Sequence, residues 1–514
     1  MTSVEALFAD LERLDVKLWL EGGGLRFSAP KGALTPALRE RLASQKTAII
    51  DYLGTGQGQD GADPGESGQG RIHPPSFAQR HFGNLQRLNP SDCFYNIPLA
   101  FRLSGTLDLG MLRRSFEAMV GRHDFLRTTL QEIDGALMQV VMPAAEENRE
   151  FELPVVELSH LPSSEQGDAV EQEIRKEWRR PFDLSRESGL RVRLLRLAED
   201  DLILLFCVHN VLFETGSMRA LLHELGSHYA DLSSDKPCSL PPLPMQYADA
   251  VRWQQSLLAS GMDQRLDYWR EWFAKGEPPL LTLAIAQRSE PPTAFEANTL
   301  PIEIGPELTV RLKSLSQQAG VSLFIPLLTA YAVVLHRFSG NDDVVMATTF
   351  ANRSHWKLEP LIGSLLNIIA LRFDLSGNPD YLALLRYVRD VVLTAFARQD
   401  VPFETVATVL QLEQRRKVPL FRTVFSFFEE TPYEQLQLPG VAVTYLDTLY
   451  CDVMRPDIYP ALWEKKIGGV TTLKGYWQYK RELYEEPVAS LMLRDYYVVL
   501  EAMTADPAQR IDPP

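Results

Sequence analysis

The stretch DLILLFCVHNVLFETGS, Asp201 to Ser217, carries the residue types best suited to chemistry. Its apolar run from Leu202 to Val208 reads as a buried strand, and the end of that strand delivers His209, Asn210, Glu214 and Gly216. Titratable groups at the mouth of a buried strand commonly mark a site, because burial changes their proton affinity. An imidazole could carry a proton near neutral pH and a carboxylate could act as base. An asparagine can only donate and accept hydrogen bonds. A capped strand with a satisfied histidine would present the same residues. Other constellations fail. HELGSH (His223 to His228) looks like a zinc-protease helix, but its histidines are five apart, which turns the second imidazole off the ligand face. Cys207 and His209 share a strand face with no further ligands nearby, so no metal is expected. There is no GxSxG elbow, GxxxxGK loop or dinucleotide fingerprint.

The 514 residues are too many for one ordinary core, so two or three domains are expected. Hydrophobic residues at 45% and charged residues at 23% are the balance of a globular protein. No membrane span or signal peptide is legible. The four cysteines are widely spaced, which points to a reducing, cytoplasmic location. A net charge of −15 argues against a nucleic-acid partner.

Three segments must position the site. Residues 1–53 read as helix, β-hairpin, helix: Leu7, Leu11 and Leu14 at helical spacing, strands at Val16–Leu20 and Leu25–Ser28 around Gly22, Gly23 and Gly24, then Thr35-Pro36 as a helix start. Residues 54–71 are glycine-rich and read as a flexible linker. From Ile72 strands (Phe94–Leu103, Leu202–Val208) alternate with helices (Leu112–Val120, Leu308–Gln318, Leu323–Phe338). This suggests an α/β or α+β body split near residue 260, into 72–258 and 259–514.

Val16-Lys17-Leu18-Trp19-Leu20-Glu21-Gly22, Leu25-Arg26-Phe27, Ala29-Pro30-Lys31-Gly32 and Leu34-Thr35-Pro36 resemble the N-terminal docking domains named after the tubulysin synthetase. In that family the hairpin receives a short, often acidic tail from an upstream synthase. The resemblance implies docking roles for Lys17, Leu18, Trp19, Leu20, Arg26, Phe27 and Lys31. Strand pairing would supply the backbone bonds.

The remainder resembles the condensation domains of nonribosomal peptide synthetases, members of the HHxxxDG acyltransferase superfamily. The matching motifs are Ser76-Phe77-Ala78-Gln79-Arg80, Arg122-His123-Asp124-Phe125-Leu126-Arg127-Thr128, Tyr247-Ala248-Asp249 with Trp253, Ile362-Gly363-Ser364-Leu365-Leu366-Asn367 with Arg372, Gln399-Asp400-Val401-Pro402-Phe403-Glu404, and Pro419-Leu420-Phe421-Arg422. The resemblance implies two chloramphenicol-acetyltransferase-like lobes in a V, with a tunnel open at both ends. No cofactor is bound permanently; the phosphopantetheine arms of partner carrier proteins enter the tunnel. The activity implied is transfer of a carrier-bound acyl thioester to an amine or hydroxyl, forming an amide or ester, on a nonribosomal peptide or hybrid polyketide assembly line. The donor carrier would bear a C-terminal docking tail, and the acceptor would be free or carrier-bound. If the protein ends at Pro514, both substrates arrive in trans and the step releases the chain; if it continues, a downstream aminoacyl carrier is the acceptor.

Aligned on the strand, HHxxxDG becomes His209-Asn210-Val211-Leu212-Phe213-Glu214-Thr215, with Gly216 one position late. The histidine that contacts the acceptor in the family is therefore Asn210. Three accounts stand open: His209 turns into the tunnel as base; Glu214 serves as base, against a pairing with Arg353 that would lower its basicity; or no side chain is a base and Asn210 orients the acceptor. The alternative function is a catalytically inactive platform that binds carriers or recruits a tailoring enzyme. The DxxxxD signature of the heterocyclising branch is absent. Gly216, Ser217 and Arg353 are expected to support the site, His123 and Arg127 to organise the lobe, and Asn367 to contact an arm or satisfy backbone. The first motif lacks the family's tryptophan, and the text from Asp452 to Tyr479, with Arg455-Pro456 and Trp463-Glu464-Lys465-Lys466, fits the family poorly.

Overall fold

A tight hairpin opens the described part of the chain: β1 (Lys17–Glu21) pairs antiparallel with β2 (Gly24–Ser28), in a register running from Lys17↔Ser28 to Glu21↔Gly24. The structure, a computed structural model, describes residues 17–21, 24–28 and 42 of the N-terminal segment. It then describes 71–512 apart from several intervals, the longest being 144–150, 277–295, 411–420 and 447–453. Contacts divide the chain into two units, residues 1–69 with 353–359, and the rest. Lys17, Leu18, Trp19, Leu20, Arg26 and Phe27 lie on the two strands, with Trp19 opposite Arg26 and Leu18 opposite Phe27. Lys31, the helices expected around the hairpin and the 54–70 linker lie outside the described residues.

In the larger unit, β3 (Arg71–His73) leads into α1 (Phe77–Leu88). Ser76 caps α1 through a reciprocal box with Gln79, so the first motif is a helix start. Next come β4 (Asn96–Gly105), α2 (Leu109–Arg122), β5 (Thr128–Ile133), β6 (Ala136–Val141), β7 (Val155–Glu157) and α3 (Ser163–Trp178). Then follow β8 (Leu190–Ala198), β9 (Asp201–His209), α4 (Thr215–Ser233), α5 (Tyr247–Ala259) and α6 (Met262–Ala274). Residues 202–208 of β9 are all buried, as the unbroken apolar run requires of a central strand. It sits between β4 and β8 in a sheet ordered β14-β4-β9-β8-β7.

The second half begins with β10 (Ala297–Ile304), α7 (Pro306–Ala319), α8 (Phe324–Ser339), β11 (Asp343–Phe350) and β12 (Asn367–Asp374). It continues with α9 (Tyr381–Phe396), α10 (Phe403–Val409), β13 (Val424–Phe428), β14 (Val441–Tyr445), β15 (Ile458–Ile467), β16 (Val470–Lys480) and α11 (Glu486–Ala505). Six strands form a sheet ordered β10-β16-β15-β13-β11-β12. Every residue of α8 from Ile325 to Leu335 is buried, as for a helix apolar on all sides. With α9, α11 and the sheet it forms an extensive core cluster. Among the described residues no single helix is long and apolar enough to cross a membrane.

Two features depart from the sequence reading. β14 comes from beyond residue 260 yet joins the first sheet, pairing antiparallel with β4 from Val441↔Gly105 to Tyr445↔Phe101. Within the poorly fitting text of Asp452–Tyr479, the described residues from Ile458 onward form a regular ladder, β15 against β16, turning through Gly468 and Gly469, whose φ of 57° and 82° suit the mirror-image hairpin turn. Trp463 to Lys466 lie on β15; Arg455 is outside the described residues. Just before β15, buried Asp457 accepts from Lys480 Nζ at 3.0 Å and pairs with Arg422.

Candidate functional site

The end of β9 is fixed on both sides. His209 N donates to Gly189 O at 2.8 Å and Asn210 N to Tyr95 O at 2.7 Å, while Asn96 faces His209 in register on β4. The His209 ring is 1% exposed and walled by Tyr95 and Phe182, at centroid distances of 5.9 and 5.7 Å. Its Nδ1 accepts the Val211 N–H at 3.0 Å, so the neutral ring carries its proton on Nε2. Burial first, and the nearby Arg191 charge second, hold its pKa down to about 3. Such an imidazole takes no proton at neutral pH.

Asn210 is half-buried, and among the described residues its side-chain amide makes no hydrogen bond. Leu212 and Phe213 lie outside the described residues. Glu214 is the N-cap of α4, 5% exposed, its carbonyl accepting Met218 N at 3.0 Å. Gly216 lies in the first turn of α4. Ser217 Oγ donates to Gly363 O at 2.9 Å and accepts from Gly363 N at 3.1 Å. That reciprocal pair ties the start of α4 to the loop before β12.

The same loop gathers two more motifs. Tyr247 Oη donates to Ser364 O at 2.5 Å, and Phe125 meets the Tyr247 ring edge-on at 4.7 Å. Residues of four separate sequence motifs thus converge on one joint. Arg127 is spent inside its own lobe, on Val120 O at 2.9 Å, Met142 O at 2.7 Å and Asp124 at 2.5 Å. His123 bonds Glu224 at 2.7 Å, and Arg122 reaches the same oxygen at 3.1 Å. Burial raises the Glu224 carboxyl, but His123 and Arg122 outweigh it and leave it below its usual value. The zinc-like HELGSH is a turn of α4 whose glutamate serves this cluster.

Asn367 satisfies backbone: its amide donates to Gln399 O at 2.6 Å and Val401 O at 2.8 Å and accepts from Phe403 N at 3.1 Å. Arg353, in the smaller unit, donates to Leu358 O at 2.5 Å and Glu359 O at 3.4 Å. A small cleft in the larger unit is lined by Ser76, Gln254, Asn352, Ser364 and Asn367, with apolar neighbours including Phe77 and Leu365. Sequence reading missed Phe182, Asn96 and Arg191, which surround the β9 exit. Nothing local marks them, since each acts through an element distant in the chain. Cys207, pushed up to about 12 chiefly by burial, is an inert thiol of the strand.

The His209 environment carries a stability prediction. Below about pH 6.5 the unfolded chain protonates this residue, while the folded chain refuses the proton down to about pH 3. Stability therefore falls as pH drops through that window, by up to about 1.4 kcal/mol per unit from this residue. His228 and His355, also lowered chiefly by burial, act in the same direction. Urea midpoints at neutral pH and pH 5 are expected to differ less in His209→Gln than in the parent.

Comparison with known proteins places these features in a family. Residues 70–513 match the condensation domain model, and residues 4–54 match the TubC N-terminal docking domain. A linear gramicidin synthase of Brevibacillus parabrevis is 33% identical over 444 residues, 85% of this chain but only 6% of that protein. Malpinin synthetase of Mortierella alpina is 30% identical over 489 residues, 94% of this chain and again 6% of that protein. Among solved structures, the X-domain from teicoplanin biosynthesis superimposes with a TM-score of 0.76 at 23% identity, covering 88% of this chain and 98% of that one. The same domain in its complex with OxyB gives 0.73 at 24%, covering 88% and 98%. The condensation domain of the monacolin K polyketide synthase MokA gives 0.72 at 18%, covering 86% and 99%. The fold is thus the expected α/β (α+β) class with chloramphenicol-acetyltransferase-like lobes. The chain belongs to the condensation domain family of nonribosomal peptide assembly lines and carries a TubC-type docking domain at its N-terminal side.

Proposed function

We propose that this chain is a carrier-dependent acyltransferase in which Asn210 orients the acceptor and no side chain serves as general base. The observation that carries this reading is the contrast at the β9 exit. His209 is buried, bonded to Val211 N and unable to hold a proton at neutral pH, whereas the Asn210 amide is available for a ligand. A neutral amine attacks the thioester carbon, the carbon–sulfur bond breaks, and the amine proton leaves with the thiol. The Asn210 carbonyl oxygen accepts an N–H of the amine and aligns its lone pair. Losing a base forfeits about 10²- to 10⁴-fold, while holding two tethered reactants together reaches effective molarities of about 10⁵ M or more.

The donor is an upstream carrier protein, captured by its C-terminal tail adding a strand to the β1–β2 hairpin. Its phosphopantetheine arm would present the acyl thioester to the acceptor. The test is intact-protein mass spectrometry of an acyl-loaded carrier with a matching tail, incubated with amine and alcohol acceptors. Enzyme-dependent loss of the acyl mass with appearance of the conjugate is expected. Asn210→Ala should lower the rate at least about tenfold, the worth of one well-placed hydrogen bond to a group gaining charge. The rate should rise with pH only as the acceptor amine loses its proton.

A second reading is a platform without turnover. It is favoured by a His209 that takes no proton at neutral pH and by the likeness to the X-domain, which is known in complex with OxyB. Its partner here would be a tailoring enzyme acting on a carrier-bound chain. A parent inert toward every acceptor, with transfer appearing in Asn210→His, would establish this reading in place of the first.

A further inference from the structure

Arg191 lies on β8 behind the site, its side chain 8% exposed. Its guanidinium is committed to the chain that leaves α3. Nη2 donates to Glu177 O at 3.2 Å and Arg180 O at 2.6 Å, and Nη1 to Pro181 O at 3.2 Å. Nε pairs with the buried Glu177 carboxylate at 2.6 Å, which Arg193 shares at 2.6 Å. The guanidinium lies over the Phe182 ring, 3.8 Å from its centroid, and that ring stands edge-on to His209 at 81°. Asn96 holds the same segment from the β4 side, donating to Trp178 O at 2.7 Å and Arg180 O at 2.9 Å. His209 in turn anchors Val211 N, the backbone group just after Asn210.

On the reading that Asn210 orients the acceptor, we propose that Arg191 is its positioning residue, acting through Phe182 and His209. Each link is short and directional. Without the guanidinium, three carbonyls lose a donor and the Phe182 ring loses the plane that holds it. The imidazole then loses a wall, Val211 N loses a fixed acceptor, and the Asn210 amide spreads over several positions. A misplacement of about 1 Å is worth on the order of 100-fold in rate.

The test uses the full chain with ¹⁵N-labelled histidine, the His209 signals being assigned by their loss in His209→Gln. The parent should show a single neutral tautomer with the proton on Nε2. Arg191→Met should convert this to a tautomer mixture and lower kcat on the order of 100-fold, with KM little changed. Because Arg191→Met leaves the Glu177 charge buried, Phe182→Leu provides a relay break with every charge in place. It should move the His209 signals in the same direction and lower kcat less. Unchanged His209 signals in Phe182→Leu overturn the proposal, as does a shifted spectrum with kcat retained. A parent without transfer overturns the reading of Asn210 instead, and the tautomer spectrum then decides alone whether Arg191 holds His209 in place.

Discussion

Gly363→Ala is expected to cost roughly 3–5 kcal/mol of stability, combining a severe overpacking with a strained backbone. Gly363 adopts φ +146°, and a Cβ there would stand 2.1 Å from Cδ2 and 2.4 Å from Cε2 of Tyr247. The ring is 2% exposed, held by its hydroxyl on Ser364 O and by the Phe125 edge, so it has no room to yield. The measurement is the urea midpoint with its slope. A double-mutant cycle adds the decisive number, because Tyr247→Ala removes the clash. The pair should then be less destabilised than the sum of the singles by at least about 1 kcal/mol. Additive effects would mean that the ring and the glycine do not share the joint as described.

The second large effect is expected at Asp457. Its carboxylate answers two cations, Lys480, 4% exposed, and Arg422. Asp457→Asn takes from the buried lysine ammonium the carboxylate that bonds it at 3.0 Å, a loss of about 3–5 kcal/mol. Arg422, with a quarter of its side chain accessible, can turn outward; Lys480 has no such exit. Adding Lys480→Met to Asp457→Asn should therefore recover part of the loss, since an apolar side chain of similar length needs no partner. A double variant as unstable as Asp457→Asn alone would show that the aspartate acts through its contacts with Arg422.

Much of the fold could be read from the residues. The unbroken run at Leu202–Val208 became the central strand β9, and the stretch Leu323–Phe338 became the buried helix α8. The hairpin strands expected at Val16–Leu20 and Leu25–Ser28 fall within a residue of β1 and β2. These are local signals, where apolar periodicity and turn residues decide the outcome. Long-range partners left no such trace. That Ser217 would seek Gly363, or Arg191 the carbonyls after α3, depends on how distant segments stack. The glycine pair 468–469 between two strand-like runs is a local signal for the β15–β16 hairpin. The candidate site was legible in the sequence only as the end of a buried strand, which is the end of β9. Which of its side chains are spent internally became visible only through burial and hydrogen bonding, as His209 illustrates.

The return of β14 to β4 bears on how the chain is made. β9 covers one edge of β4 about 100 residues later, but the strand that closes the other edge follows roughly 340 residues after β4. At about 5–20 residues per second, synthesis leaves that edge uncovered for roughly 20 to 70 seconds. An open edge is a template for any extended segment that arrives first, including one from a neighbouring nascent copy. Slow production or chaperone supply during that interval should therefore govern soluble yield more than the final stability of either lobe, and cutting the gene between the lobes would make the vulnerable edge permanent.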